Sequence, residues 1–415
     1  MTAIALTVSN RILQAFFGSV GGLSRTFWFL WSGALINRIG SFVMPMLAVY
    51  LTKERGLSIV EAGSVVSLFG LGGLSSVQLA GVLADRLGRR ATMLVSLVTS
   101  AGSMLALGFA VTAPQLMVAA FALGFTASIY SPASQAMLAD VVPPADRQRA
   151  FGLLYWAINL GFAIAAVLGG QLARWSFTGL FIVDACSTLV TALVIFCNVP
   201  ETKPAEAPQA KAEGTFLAPF FDVAFLPFLL VHLLLVLVFF QFQVALPADL
   251  QSKGFGSAEL GIVMALNGVL IVALQPWATR RTHGWRRSRI LALAALCVGF
   301  GFGLNAFAEG LPVFMASVAI WTMGEVLMAP ANASIVADLS PAHMRGRYQG
   351  AFSVIWALGV TLGPWLSGKI ITATSTRTLW FGCVVVGSAA ALGHLLLGRA
   401  RLARLQALNV EGARD

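Results

Sequence analysis

"PASQAMLADVVPPADRQRAFG", Pro132 to Gly152, returns 198 residues later as "PANASIVADLSPAHMRGRYQG", Pro330 to Gly350. Identities include Pro132/Pro330, Asp140/Asp338, Pro143/Pro341, Arg147/Arg345, Arg149/Arg347 and Gly152/Gly350. The same offset continues through Gly161/Gly359, Leu168/Leu366 and Gly170/Gly368, so small residues recur where two helices need close backbone approach. One passage placed alike in each half implies two copies of an ancestral unit.

Composition decides the solvent. The 415 residues are 58% hydrophobic and 11% charged, too few ionisable groups to cover a soluble globule of this size. Twelve apolar runs, from 27–51 to 378–398, are each about the 20 residues that a helix needs to cross a bilayer. They are too long for barrel strands, and backbone groups in lipid must be satisfied within the segment, so the expected fold class is all-α.

A net charge of +10 would suggest nucleic acid in a soluble protein. Threading the helices instead puts most of the 27 basic residues in loops on one side, with six outside and Arg38 within the membrane. By the positive-inside rule this places both termini in the cytoplasm, and the basic balance orients the chain. No nucleic-acid partner is expected.

"NVPETKPAEAPQAKAEGTF", Asn198 to Phe216, has almost nothing to bury and reads as a linker. The expected division is a lead-in 1–26, a six-helix bundle 27–198, a cytoplasmic linker 199–221, a second bundle 222–399 and a tail 400–415. Ile12 to Leu23 lacks the flanks of a secretory signal. Cys186, Cys197, Cys297 and Cys383 have no metal spacing or disulfide framework and read as small apolar packers.

Between the second and third helices lies "GVLADRLGRR", with Gly81, Asp85, Arg86, Gly88, Arg89 and Arg90. It resembles the signature cytoplasmic loop of the major facilitator superfamily, and the six-plus-six layout is similar over the whole chain. The resemblance implies two pseudo-symmetric bundles and a cytoplasmic latch, in which Asp85 holds the second helix against the eleventh when the protein faces outward. Asp140, Arg147, Asp338 and Arg345 of the repeated passage join this expected latch. In the second half, "WATRRTHGWRR", aligned on Gly284, has Arg281 in place of the acid.

Charge in a bilayer is costly to retain, so Arg38, Asp184 and Glu325 are the first candidates for function. Glu325, about 14 residues into the tenth helix, lies near half depth at about 1.5 Å per residue. An acid there can load and release a proton as access alternates. "WTMGEVLMAP", Trp321 to Pro330, resembles the tenth helix of a bacterial multidrug/proton antiporter, whose acid matches Glu325; "YWAIN", Tyr155 to Asn159, resembles its fifth. Asp184 is either a second proton carrier or a structural hydrogen-bonder. Arg38 cannot deprotonate, and it reads as an anchor for a substrate anion or as a partner of Glu325.

Asn37, Gln135, His232, Gln243, Asn267, Asn332 and Met328 are the remaining candidate substrate contacts. His232 and Gln243, eleven apart, are expected on one helix face. The antiporter's acids on helices seven and five align with Gln243 and Leu154, which leaves coupling to fewer groups. The expectation is a secondary active transporter of the bacterial inner membrane, acting as a monomer without a cofactor and driven by the proton gradient. Proton-coupled efflux of lipophilic small molecules is the first expectation, and symport of an anionic or zwitterionic solute the second. No phosphate-cradling GxxxxGK[ST] run or catalytic constellation points to an enzyme.

Overall fold

The computed structural model describes residues 21–202, 217–282, 284–341 and 344–411. The parts of the expected lead-in, linker and tail at 1–20, 203–216 and 412–415 lie outside the described residues. Among the described residues twelve helices are long and apolar enough to cross a membrane. They are α1 (Arg25–Glu54), α2 (Ile59–Arg86), α3 (Arg89–Phe109), α4 (Ala113–Val141), α5 (Arg147–Leu172) and α6 (Phe177–Asn198) in the first bundle. The second has α7 (Phe225–Ser252), α8 (Ser257–Arg281), α9 (Arg287–Phe307), α10 (Leu311–Leu339), α11 (Arg345–Ala373) and α12 (Thr376–Glu411). The residues expected as a tail from 400 therefore continue α12 to Glu411.

Local chemistry sets several ends. Ser24, Ser58 and Thr112 cap α1, α2 and α4 by accepting from Phe27, Glu61 and Gln115 N–H, relieving donors that a helix start leaves unpaired. Asp222 does the same for α7, accepting from Ala224 and Phe225 N–H. Ser24 and Asp222 are 198 residues apart, so the capping site repeats with the fold.

Two spans are interrupted. The first helix of α1 stops at Gly40 and a second begins at Val43. That of α7 stops at Phe239, followed by a 3-10 turn at Phe240–Phe242 and a helix from Ala245. This break separates His232 from Gln243, so the shared face expected of an unbroken helix is interrupted.

The bundles meet along two crossings, α2 against α11 and α5 against α8, and the repeat governs both residue by residue. A Cβ added at Gly63 would lie 2.4 Å from the Pro364 carbonyl oxygen, and one at Gly261 would lie 2.3 Å from that of Ala166. Gly70 likewise meets Thr361 N at 2.7 Å, as Gly268 meets Ala163 N at 3.2 Å. Each second-half member stands 198 positions from its first-half counterpart. Only glycine admits backbones this close, which explains the small residues that keep the offset.

These contacts all lie toward one end of the bundles, opposite the end where α1 starts and α12 finishes. Ser257 Oγ donates to Gly170 O at 3.0 Å and Thr52 Oγ1 to Gln251 Oε1 at 3.3 Å at that far end. One apolar cluster runs across both bundles there, from Met46 and Val65 to Leu246 and Leu260. Toward the near end the first bundle closes on a cluster of its own, Phe27, Leu30, Met93, Met137 and Ile195. A cavity of about 380 Å³, lined by Gly152, Tyr155, Trp156 and Asn159 of α5 and by Gln275 and Thr279 of α8, parts the helices on this side. The close crossings gather at the far face, where a cavity of about 420 Å³ lined by Lys53 and Arg174 of the first bundle and Glu259 of the second also lies between them.

Candidate functional site

Glu325 stands mid-way along α10 and is half-buried. Its carboxylate accepts from Asn267 Nδ2 of α8 at 2.8 Å, and the same amide donates to Thr322 Oγ1 at 3.0 Å. Tyr155 of α5 lies within electrostatic reach of Glu325, so the first bundle faces this acid across the crossing. No cation forms an ion pair with Glu325 among the described residues, and Arg38 does not reach it.

Arg38 belongs to a second locus. Its side chain is exposed although it stands within the membrane-crossing part of α1, beside Gly161 of α5, where an added Cβ would fall 2.5 Å from Arg38 Cβ. It lies within electrostatic reach of Tyr130 and Asp184 without pairing to either within salt-bridge distance. Asp184 is 2% exposed, and its Oδ2 accepts from Val43 N–H at 3.1 Å. That donor is freed by the break in α1, so the acid replaces a lost helical acceptor. That bond gives Asp184 a structural contact at the break in α1.

The other candidates divide by burial. Asn37 donates to Thr188 Oγ1 of α6 at 3.2 Å, tying α1 to α6. Gln135 is exposed on α4 and donates to Ser131 Oγ at 3.0 Å. Gln243, half-buried after the α7 break, keeps an unpartnered Oε1. His232 is fully buried, stacked on Phe228 and Phe352, with Nε2 3.4 Å from Asn332 Nδ2. Asn332 is 2% and Met328 1% exposed. These three sit in the packed interior of the second bundle and present no surface between the bundles. Spacing places a residue on a helix but not on the side of it that neighbours leave uncovered.

The expected latch is disengaged. Asp85 is exposed, makes no ion pair or hydrogen bond among the described residues, and Gly81 opens on free space. Most of its companions serve their own bundle. Arg89 Nε reaches Asp140 Oδ2 at 3.3 Å, which also accepts from Thr202 Oγ1 at 2.9 Å. Arg147 donates to Ala139 O at 2.8 Å, closing the end of α4. Arg90 lies over the Phe196 ring at 5.2 Å and Arg86 is exposed, as is Arg345 at the start of α11. In the second bundle Arg287 pairs with Asp338.

Arg89/Arg287 and Asp140/Asp338 keep the 198 offset, and Arg287 is a partner the sequence reading did not single out although the offset points to it. The helix starts also correct the loop alignment: Gly88 and Arg286 are the equivalent N-caps. Position 283, outside the described residues, therefore stands opposite Asp85, and Arg281 does not.

Glu201, within the stretch that reads as linker, is a further functional contact. Its carboxylate accepts from Arg89 N–H at 2.8 Å and Arg90 N–H at 3.1 Å, capping α3 from just beyond α6. Burial pushes this carboxyl up, but bonds from Arg90, Ala91, Arg89 and Thr202 N–H outweigh it and hold it below the usual range. No group of three or more metal-ligating side chains occurs among the described residues.

Two closed-packed crossings related by an internal repeat, with ionisable groups at mid-depth, define a membrane transporter of the rocking-bundle kind. The sequence model of the Major Facilitator Superfamily matches residues 30–364 and 242–411, and the chain belongs to that family as an integral membrane secondary transporter. It is 26% identical to the Na(+), Li(+), K(+)/H(+) antiporter of Planococcus maritimus, covering 87% of this chain and 94% of that protein. It is 24% identical to the multidrug resistance protein MdtH of Aeromonas salmonicida (strain A449), covering 89% and 94%. Among solved structures, a POT family transporter in complex with 5-aminolevulinic acid superposes with a TM-score of 0.80 at 15% identity, over 92% and 97% of the two chains. That last likeness is one of fold.

Proposed function

We propose that this protein is a proton-coupled exporter of lipophilic small molecules in the bacterial inner membrane, alternating about the space between its bundles. The observation that carries the reading is Glu325: a mid-membrane carboxyl, half-buried and bonded to a neutral amide, with no cation paired to it among the described residues. A carboxyl retained at that depth needs a task, and exchanging a proton supplies one. Relatives named as a cation/H(+) antiporter and as a multidrug resistance protein support proton exchange and export. With both termini and the arginine-rich loops in the cytoplasm, the near face, where a cavity parts α5 from α8, is the inward one, and the unpaired Asp85 fits an inward-facing state. The monomer holds both bundles and both crossings, so no second copy is required.

The alternative, proton-coupled uptake of an anionic or zwitterionic solute, is favoured by Arg38, an exposed guanidinium without a salt-bridge partner, and by fold neighbours that bind polar solutes. The test is proton movement in reconstituted vesicles on adding candidate solutes. Lipophilic compounds should drive protons opposite to their own movement, whereas co-movement with an anionic solute, lost in Arg38→Gln, establishes the alternative. Absence of proton flux with every solute overturns both.

A further inference from the structure

The repeat that governs both crossings fails around Glu325. Tyr155, Asn159, Asn267 and Glu325 have Ser353, Ala357, Phe69 and Ala127 at the positions 198 residues away, and none of these counterparts carries a phenol, an amide or a carboxyl. The glycines that let the backbones approach are kept at both crossings, Gly268 as Gly70. The packing is therefore symmetric, and the polar groups belong to the crossing of α5 with α8 alone.

At that crossing they form a chain from the acid to the cavity. Asn267 Nδ2 donates to Glu325 Oε2 at 2.8 Å. The next residue, Gly268, packs on α5, where an added Cβ would lie 2.7 Å from Asn159 O. Asn159 Nδ2 donates to Tyr155 O at 2.9 Å, holding the two residues one helix turn apart. On the near side of this contact the helices part, and Tyr155 and Asn159 line the cavity of about 380 Å³ with Gln275 and Thr279. Tyr155 is exposed there and is the titratable side chain that faces Glu325. Asn267 and Thr322 beside the acid are neutral, and the charged residue of the cavity lining is Arg280, exposed on α8.

We infer that Tyr155 couples the proton to the movement of the bundles: as the near side closes about Gly268, its hydroxyl donates to ionised Glu325, and protonation of the acid releases it. A hydrogen bond to a carboxylate is roughly twice as strong as one to a neutral acceptor, so the charge of Glu325 favours the closed arrangement. The order suits an exporter. Glu325 gives its proton to the cytoplasm, the near side closes while the acid is ionised, and it reopens once a proton is taken from the far side. The inference rests on Glu325 as the proton carrier and adds the group that reads its charge.

Gly152→Cys on α5 and Thr279→Cys on α8 place spin labels on opposite walls of the cavity, with Cys186, Cys197, Cys297 and Cys383 replaced by Ala. Pulsed electron paramagnetic resonance in proteoliposomes then reports the closed-to-open ratio. Raising the pH should increase that ratio about tenfold, the worth of one charge-assisted hydrogen bond. Tyr155→Phe, which keeps the ring, should hold the ratio near its low-pH value at every pH, as should Glu325→Gln, and the double variant should add nothing to either. Loss of the pH dependence in Glu325→Gln with its retention in Tyr155→Phe overturns the role of Tyr155 and leaves the acid as carrier. Retention in both variants, or a ratio that does not move with pH before either is made, overturns the reading of Glu325 as well.

Discussion

Replacing Glu325 by Gln should uncouple transport from the proton gradient while leaving the substrate path intact. Of the described acids within the spans, Glu325 and Asp184 stand away from both faces; with Glu325 as the carrier and Asp184 holding Val43 N–H at the α1 break, one exchangeable proton per cycle is expected. A proton entering across about 100 mV contributes about 2.3 kcal/mol. One pH unit adds about 1.4 kcal/mol. For a neutral substrate the two together sustain a concentration ratio of several hundred. Gln keeps the shape and accepts the Asn267 amide but carries no proton, so the ratio falls to about one. The assay is accumulation of a neutral lipophilic fluorophore in inside-out proteoliposomes under an imposed gradient, beside gradient-free exchange of labelled for unlabelled fluorophore. Exchange should persist in Glu325→Gln while accumulation is lost. A variant that still accumulates substrate hundreds-fold would refute the assignment of the proton to Glu325.

Gly63→Ala drives a Cβ to 2.4 Å from the Pro364 oxygen. Overpacking of about 1–3 kcal/mol at that crossing should open the far face, read as faster labelling of a cysteine at Thr52 or Gln251 from that side. Asp184→Ala leaves Val43 N–H buried without an acceptor and should cost about 1–3 kcal/mol of stability, with Asp184→Asn near wild type in thermal melting. Loss of coupling in a stable Asp184→Asn would instead make that acid the proton carrier. Glu201, whose carboxyl is held low when folded, contributes stability above its unfolded value and loses it as pH falls through the lowered one. Glu201→Gln should therefore flatten the acid limb of the melting-temperature profile, and an unchanged limb would count against the cap.

Much of this was legible in the residues. The offset that joins Pro132 to Pro330 also relates Gly63 to Gly261 at the crossings and Arg89 to Arg287 in the charge pairs. Duplication leaves its record in linear order, so it survives without coordinates. Glu325 was legible because a carboxyl in a long apolar run is conspicuous whatever it touches. Burial of other candidates was not legible. His232, Asn332 and Met328 have the composition of cavity residues, yet neighbouring helices cover them. Glu201 looked like linker, although its partner N–H groups lie more than a hundred positions away.

The sequence by itself determined the solvent, the twelve spans and the twofold plan, because hydrophobic length and repetition are properties of order along the chain. Only the tertiary structure decided that the close crossings gather at the far face and that Asp184 accepts from Val43 N–H at the break in α1. Those depend on how helices rotate and cross, which is set by side-chain packing between segments distant in sequence and leaves no local pattern to read.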